Sequence, residues 1–500
     1  MNTKRSAVPP IDIVGGPELA RVSSSSVTSP SPEFIEKLAG VCHVKTDLAS
    51  VTESSRDWWP HDMHWALEGV ITQRAAVVCT PTDTDQVRRV LSLCNEHRIP
   101  VTAAAGRSGV SGGSIPLRGG VVLDMCAMQG VINVDEISGT VEVLPGTFGP
   151  DLESHLATFN LTVGHFPQSF DISTVGGWIG SRGAGQFSTR YGKIDDMVAG
   201  LEVVLADGSV ISTGTEPASA TGPSLTSLFI GSEGTLGIIT KVWLRAHPLP
   251  DVTKKAAYRF KSFADAVETM RLAVRHGATP AVLRLYDERE SKRSHGGDGT
   301  TCTLLVLDEG VELLVDATLK IVAESADLNA CETADAQLVD NWLSHRNDTS
   351  GLQILSKKGF VIDTMEVAVA WSRVNSVADS VKSAIMQVAG ARSASCHISH
   401  SYIDGACIYF TFVAEPRDKS LAAIELAYSQ IWDAAQNAAL GSGANLTHHH
   451  GVGINRAKYL KQALGSAHGV LAAIKSVLDP QDILNPGKFG IVSTRGEYKI

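Results

Sequence analysis

Residues 103–113 read AAAGRSGVSGG, a glycine-rich stretch between apolar runs. Upstream, AAVVC at 75–79 has the continuous apolar character of a buried strand. PTDTD at 81–85 supplies helix-start residues, and Val87, Val90, Leu91 and Cys94 then recur at helical spacing. Residues 99–103 read as a second strand and 121–125 as a third. Strand, helix, strand, glycine loop and strand in this order make a nucleotide-binding α/β unit. Glycines let backbone N–H groups turn toward an anion without interference from a Cβ, so this loop can hold a pyrophosphate. It is neither G-x-G-x-x-G nor a P-loop, which argues against a nicotinamide site.

Two further segments carry the same chemistry. HFPQSFDISTVGGW spans 165–178, followed by SRGAGQ at 181–186 and YGKIDD at 191–196. Paired glycines permit close approach to a flat ligand, Ser and Thr supply donors, and Arg182 can neutralise a phosphate charge. GSEGTLGI at 231–238 again alternates small residues with donors just before a strand. Between these segments, 131–144 alternates like a hairpin and 149–159 reads as a helix. After Pro248-Leu-Pro250 the chain alternates strands (255–260, 281–286, 301–308) with helices (263–276, 311–326), which places a boundary near 250.

Composition narrows the class. The 500 residues make two or three domains, and 43% hydrophobic against 19% charged residues is the balance of a chain that buries a sizeable interior. Lys+Arg total 43 and Asp+Glu 53, a net −10 that argues against nucleic acid as partner. No stretch approaches the ~20 apolar residues of a membrane span, and the Ser/Pro-rich start lacks the apolar core of a signal peptide. The last three residues are not a peroxisomal address. A cytoplasmic enzyme is expected. Eight scattered cysteines without a C-x-x-C pair read as reduced core residues, with neither disulfides nor zinc. Residues 1–32 read as a flexible leader, 33–70 as a helical segment, and RDWWPHD at 56–62 as an aromatic cluster whose proline breaks what precedes it.

The three glycine-rich segments, in this order and spacing, resemble the FAD-binding domain of the vanillyl-alcohol-oxidase and p-cresol-methylhydroxylase flavoproteins. The resemblance implies an α+β protein: a two-subdomain FAD-binding domain over 71–250, an α+β substrate (cap) domain over 251–445, and a C-terminal segment, 446–500, returning to the flavin. It implies FAD contacts from Ala105, Gly106, Arg107, Ser108 and Gly109. A second set is Gln168, Asp171, Ser173, Thr174, Gly176, Gly177, Ser181, Arg182 and Gly185, and a third Glu233, Gly234, Gly237 and Ile238. Relatives with covalently bound flavin often carry a histidine in this loop, and 103–113 has none; the His448–His450 run leaves a covalent link open, but resemblance to the synthase branch implies a non-covalent FAD.

Within that family the chain resembles the alkyldihydroxyacetonephosphate synthases. The matches are Pro167–Gly185 followed by YGKIDDMV at 191–198, LRLYD at 283–287, Met365-Glu366 with Trp371-Ser-Arg373, DGACIYF at 404–410 and HHHGVG at 448–453. By that resemblance Tyr409 transfers a proton, His448, His449 and His450 support it, and Arg284 orients phosphate or carboxylate. The residues alone allow blander roles. Tyr409 could be a core tyrosine, and as an acid/base it needs neighbouring positive charge to lower its pKa. Arg284 could be an interior ion pair with Asp287. On a strand at most two of the three histidines can face one site, and a zinc reading lacks Cys or Glu partners in the tail. No sure counterpart of the synthase's phosphate-binding arginine is found in 347–360, where Lys357 and Lys358 are substitutes.

Two activities follow from the resemblance. One is redox-neutral exchange of the acyl group of acyl-dihydroxyacetone phosphate for a fatty alcohol, which needs a wide apolar groove and allows peripheral membrane contact by the lipid substrate. The other is oxidation of a D-2-hydroxy acid such as D-lactate or glycolate, suggested by the tail LDPQDILNPGKFG at 478–490 and needing a small basic pocket. A homodimer is expected in either case.

Overall fold

The strand–helix–strand start forms one half of the first domain, in a computed structural model that describes residues 9–23 and 28–495. Four strands lie in the order His43–Lys45, Val77–Thr80, Val121–Asp124, Val101–Ala104, the last three parallel. Helix Thr84–His97 starts where Asp83 accepts a hydrogen bond from the Gln86 N–H and stops at Arg98, whose φ of 53° is left-handed. Its predicted apolar positions, Val87, Val90, Leu91 and Cys94, are buried against the sheet. Residues 103–113 leave the carboxyl end of strand Val101–Ala104, the place where open α/β sheets bind ligands.

The other half is a five-stranded antiparallel sheet, in the order Val210–Gly214, Val198–Val204, Ile238–Arg245, Thr140–Val143, Val131–Asp135. Helices Gly149–Ala157 and Val175–Ser181 share its core through Leu152, Leu156, Val175 and Ile179, packed with Val143, Leu201 and Val242.

The cap is a seven-stranded sheet, in the order Glu332–Ala334, Val252–Phe260, Cys302–Gly310, Val282–Tyr286, Ala391–Ser401, Gly405–Ala414, Val361–Ala370. Helices Phe263–Arg275, Val374–Met386 and Leu421–Gly441 join its core through Met270, Val377 and Ile431, packed with Leu283, Leu285, Ile398 and Phe410. Strand alternation then sends Arg284 and Tyr286 to the opposite face. That face looks onto the glycine-rich segments.

The N-terminal expectations need correction. Of the leader, residues 1–8 and 24–27, including most of the serine run, lie outside the described residues. Residues 9–23 are packed: Ile11, Ile13 and Ala20 are buried with Met63, Ala66 and Ile71, and Arg21–Val22 pairs in parallel with Val70–Ile71. Apolar residues at alternate positions 11 and 13 were the overlooked signal. Pro60 starts a helix, Pro60–Ala66, from its first turn, where a missing N–H costs nothing. The C-terminal segment is built into the first sheet's core by Ile483 and Leu484, with Val101 N–H donating to Ile483 O and Asn485 N–H to Val101 O, both at 2.7 Å. All eight cysteines are free thiols, six of them buried.

Candidate functional site

A cavity of about 1380 Å³ lies between the two sheets of the first domain and the polar face of the cap. All three glycine-rich segments line it, as do Arg284, Tyr409, His449 and His450. Of the expected contacts, only Arg182, Gly185 and His448 are absent from the wall.

The glycine loop is held in place from behind. Asp57 accepts hydrogen bonds from the N–H groups of Trp59 (3.0 Å) and Ser114 (3.3 Å), and Trp58 N–H donates to Gly109 O (2.9 Å). Lys488 Nζ donates to the carbonyls of Gly112 and Ile115, and Asn485 Nδ2 to those of Gly113 and Glu233. RDWWPHD and NPGK are thus the two clamps on the loop. Arg107, with φ of 50°, takes the left-handed conformation that turns successive N–H groups toward one side. Gly109 has no atom within 4 Å of where a Cβ would stand, so its open side faces the cavity.

Several expected contacts are taken up locally. Thr174 caps helix Val175–Ser181 by accepting from Gly177 N–H, and Ser173 Oγ accepts from Trp178 Nε1 at 2.6 Å. Glu233 uses both carboxylate oxygens on the N–H groups of Val452 and Gly453, joining this segment to the residues after the histidine run. Arg182 does not face a phosphate: its exposed guanidinium pairs with Asp195 at 2.8 and 3.1 Å, pointing away from the cavity. It ends its helix in the left-handed conformation (φ 54°), and that turn directs the side chain outward. Gly185 is needed for packing, since a Cβ there would stand 2.7 Å from Phe166 N.

On the cap wall Arg284 does not pair with Asp287. Asp287 sits one strand position out of phase, where it caps helix Glu288–Ser294 and accepts from Cys396 N–H. Arg284 donates from Nε to Tyr286 Oη (3.0 Å) and from Nη2 to His397 Nε2 (2.8 Å). An Arg donor at Nε2 requires a lone pair there, so His397 carries its proton on Nδ1 and donates it to Glu290 at 2.8 Å. Burial holds this imidazole below its ordinary range despite Glu290 beside it, so it is neutral near pH 7. Tyr409 stacks on His397 at 4.8 Å and donates its hydroxyl to Thr364 Oγ1 at 3.0 Å. The expected lowering of its pKa is not found: burial raises it, and Arg284 opposes only weakly. The phenol therefore stands as a protonated O–H.

His397 and His400 line the cavity together because strand Ala391–Ser401 bulges between Ile398 and His400. Residues three apart on a regular strand would point to opposite faces, and one extra residue restores the phase. His400 Nε2 donates to Gly185 O (3.1 Å), while its Nδ1 accepts from Ser399 Oγ (2.7 Å).

Residues 448–450 form a bend, not a strand, wound around a buried carboxylate. Glu366 Oε1 accepts the N–H groups of His448, His449 and His450 at 3.1, 3.0 and 2.9 Å and the Thr447 hydroxyl at 2.5 Å. Its Oε2 pairs with Arg456 at 2.5 Å and stands 3.1 Å from His450 Nδ1. Burial opposes this charge, but Arg456 and the imidazoles outweigh it and hold Glu366 well below the ordinary carboxyl range. His449 and His450 consequently face the cavity, while His448 turns to Tyr402 Oη at 2.7 Å. The missing-partner argument against a metal also needs revision. His400 and Cys407 arrive from the cap strands, and with His448 and His449 they place ligand atoms within 4.8 Å of one another.

Acid sensitivity follows from the buried imidazoles. Burial lowers His64 and His295 to about 4 and His165 and His448 to about 3. The unfolded chain binds protons at these positions near pH 6.5 while the folded chain refuses them, so stability is full above that pH and falls as pH drops. Each contributes a slope approaching about 1.4 kcal/mol per pH unit below pH 6. Thermal melts from pH 7.5 to 4.5 should show the midpoint falling steeply below pH 6; a flat profile would show these rings to be solvated.

The chain belongs to the FAD-linked oxidases. Residues 75–214 match the FAD binding domain and 249–489 the C-terminal domain of FAD linked oxidases. It is 31% identical over 472 residues to the uncharacterized FAD-linked oxidoreductase YgcU of Escherichia coli (strain K12), covering 91% of this chain and 96% of that protein. It is 28% identical over 466 residues to alkyldihydroxyacetonephosphate synthase of Trypanosoma brucei brucei, covering 85% and 75%. A solved alkyldihydroxyacetonephosphate synthase superposes with a TM-score of 0.78 at 22% identity, over 98% of this chain and 89% of that one.

FAD is the cofactor, and the site fits it. The cavity exceeds the roughly 300–1,000 Å³ of an ordinary small-ligand pocket, room for an extended dinucleotide and a substrate together. Among the described residues Gln186 Oε1 and both ring nitrogens of His165 are buried in its wall without a hydrogen-bond partner, as expected of groups awaiting a polar ligand. Residues 105–109, 168–177 and 233–238 would hold FAD. Among the described residues no helix is long and apolar enough to cross a membrane.

Proposed function

We propose that this protein catalyses a synthase-type exchange, replacing the acyl group of acyl-dihydroxyacetone phosphate with a fatty alcohol. The observation that carries this reading is the mixed lining of the cavity. Arg284 brings a guanidinium to its wall, and Pro10, Trp58, Pro60, Met63, Ile362 and Val413 bring apolar surface. A small hydroxy acid needs only the basic group; an acylated phosphate uses both kinds of wall.

FAD when bound supplies the electrophilic ring against which the substrate carbon reacts. The chain's own part is proton transfer and placement. Tyr409 holds the mobile proton on Oη, ready to give it to a leaving or entering oxygen. His450, with Nδ1 toward Glu366, offers Nε2 as an acceptor. Arg284, fixed by Tyr286 and His397, orients the anionic group. Lys193, donating to His448 O at 2.8 Å, steadies the run from the first domain.

A second reading, oxidation of a D-2-hydroxy acid, is favoured by the His449 and His450 imidazoles on the cavity wall, which offer ring nitrogens to take the hydroxyl proton. The test is an anaerobic flavin spectrum with D-lactate and glycolate in turn, followed by an exchange assay. Fatty-acid release from acyl-dihydroxyacetone phosphate plus a fatty alcohol, with no bleaching, supports the exchange. Bleaching by a hydroxy acid without exchange selects the oxidation.

A further inference from the structure

Five carbonyls of the glycine loop are held by donors from distant parts of the chain. Trp58 N–H donates to Gly109 O, and the N–H groups of Ile454 and Asn455 to Ser111 O at 2.8 and 3.1 Å. Lys488 Nζ takes Gly112 O and Ile115 O, and Asn485 Nδ2 takes Gly113 O. In a planar trans peptide the N–H points opposite to the C=O. The N–H groups of Val110 and Gly113, both in the cavity wall, are therefore turned away from these donors, the arrangement in which successive amides meet an anion.

Two other cations at this loop are already paired. Arg107 lies 3.6 Å from Asp124, and Arg456, which donates to Ser111 Oγ at 2.9 Å, pairs with Glu366. Lys488 differs. It is only 2% exposed, its contacts are two neutral carbonyls, and among the described residues no carboxylate is within ion-pair distance of its ammonium. Such a charge is costly to bury. Burial lowers Lys488 to about 8, opposed by the charges of Asp57 and Glu233. Burial and the nearby Asp62 raise Asp57 above the ordinary carboxyl range, and Arg456 acts on Glu233 as Lys488 does.

A pyrophosphate held by the amides of this loop brings negative charge to the same peptides and compensates the ammonium. We infer that Lys488 is a cofactor-positioning residue, the counter-charge that retains FAD through the glycine loop, with Asp57 as its balancing carboxylate when the loop is empty. Lys488 does not line the cavity, so it acts through its charge and through the peptides it holds. Cofactor retention thereby depends on both ends of the chain, whichever of the two reactions the enzyme performs.

The test is release of FAD from the holoenzyme on dilution, followed by the fluorescence of free FAD between pH 7 and 10. The charged lysine retains FAD, so wild-type release should quicken above pH 8 by up to about tenfold per pH unit. Lys488→Met should release FAD about 10- to 100-fold faster than wild type at pH 7 and show no such rise. Lys488→Arg, whose charge does not titrate in this range, should be slow at pH 7 and remain slow at pH 10. Asp57→Asn removes the balancing carboxylate and should move the wild-type rise to lower pH. Circular dichroism at each pH reports the fold independently. Wild-type release that is flat to pH 10, a rise shared equally by Lys488→Arg, or wild-type retention by Lys488→Met overturns the role of Lys488, and an unmoved rise in Asp57→Asn overturns that of Asp57. Where Lys488→Met does not fold, the other three profiles decide.

Discussion

Replacing Tyr409 with Phe should lower turnover by about 10²- to 10⁴-fold, the range expected for loss of a positioned proton donor. FAD content and thermal midpoint should stay near wild type. The change removes one hydroxyl, which donates to Thr364 Oγ1, and leaves the ring stacked on His397. A hydroxyl serving only as a core hydrogen bond would cost about 1 kcal/mol of stability and no catalysis, so the two roles separate in a single variant. Because burial raises the phenol's pKa, activity should show no ionisation of Tyr409 at or below neutral pH. Unchanged turnover in Tyr409→Phe would remove it from the mechanism and leave the histidines as the proton carriers.

Glu366→Ala should be the most damaging substitution in the cap. It takes away the acceptor of three successive amide N–H groups and the Thr447 hydroxyl, and the counter-ion of fully buried Arg456. Breaking such a pair from one side costs about 3–5 kcal/mol, and the histidine run loses the anchor that turns His449 and His450 into the cavity. Glu366→Gln separates these effects. An amide oxygen can still accept the N–H groups, so the run should keep its path, while Arg456 is left uncompensated. Arg456→Met combined with Glu366→Gln should then be less harmful than the sum of the single changes. Thermal melts and FAD content of the four proteins complete the cycle; strict additivity would show that the two charges are not coupled.

The reading from local pattern succeeded where burial follows directly from spacing. Val87, Val90, Leu91 and Cys94 face the sheet because a 3.6-residue period puts them on one stripe, and the glycine loop follows its strand because both are contiguous in the chain. Arg182 went wrong because residue type says which ion it can bind but not where a left-handed helix end will aim it. Asp287 went wrong because proximity in sequence ignored the two-residue phase of a strand. Residues 9–23 of the leader were misjudged from its Ser/Pro content, although Ile11 and Ile13 had already marked a segment with something to bury.

By itself, the sequence determined the family, the fold class and the cofactor, and it offered a boundary near 250 and a short list of candidates holding Tyr409, Arg284 and the histidine run. These are matters of local order, in which the residues that act together are neighbours along the chain. The chemistry among them was decided only by tertiary structure. Glu366 meets His448–His450 across more than 80 positions, Asp57 and Lys488 meet at one loop from opposite ends of the chain, and a single bulge puts His397 and His400 on one wall. Hydrogen bonds and ion pairs act over about 3–4 Å, and no spacing rule along a strand or helix states which distant residues the packing of three sheets will bring within that reach.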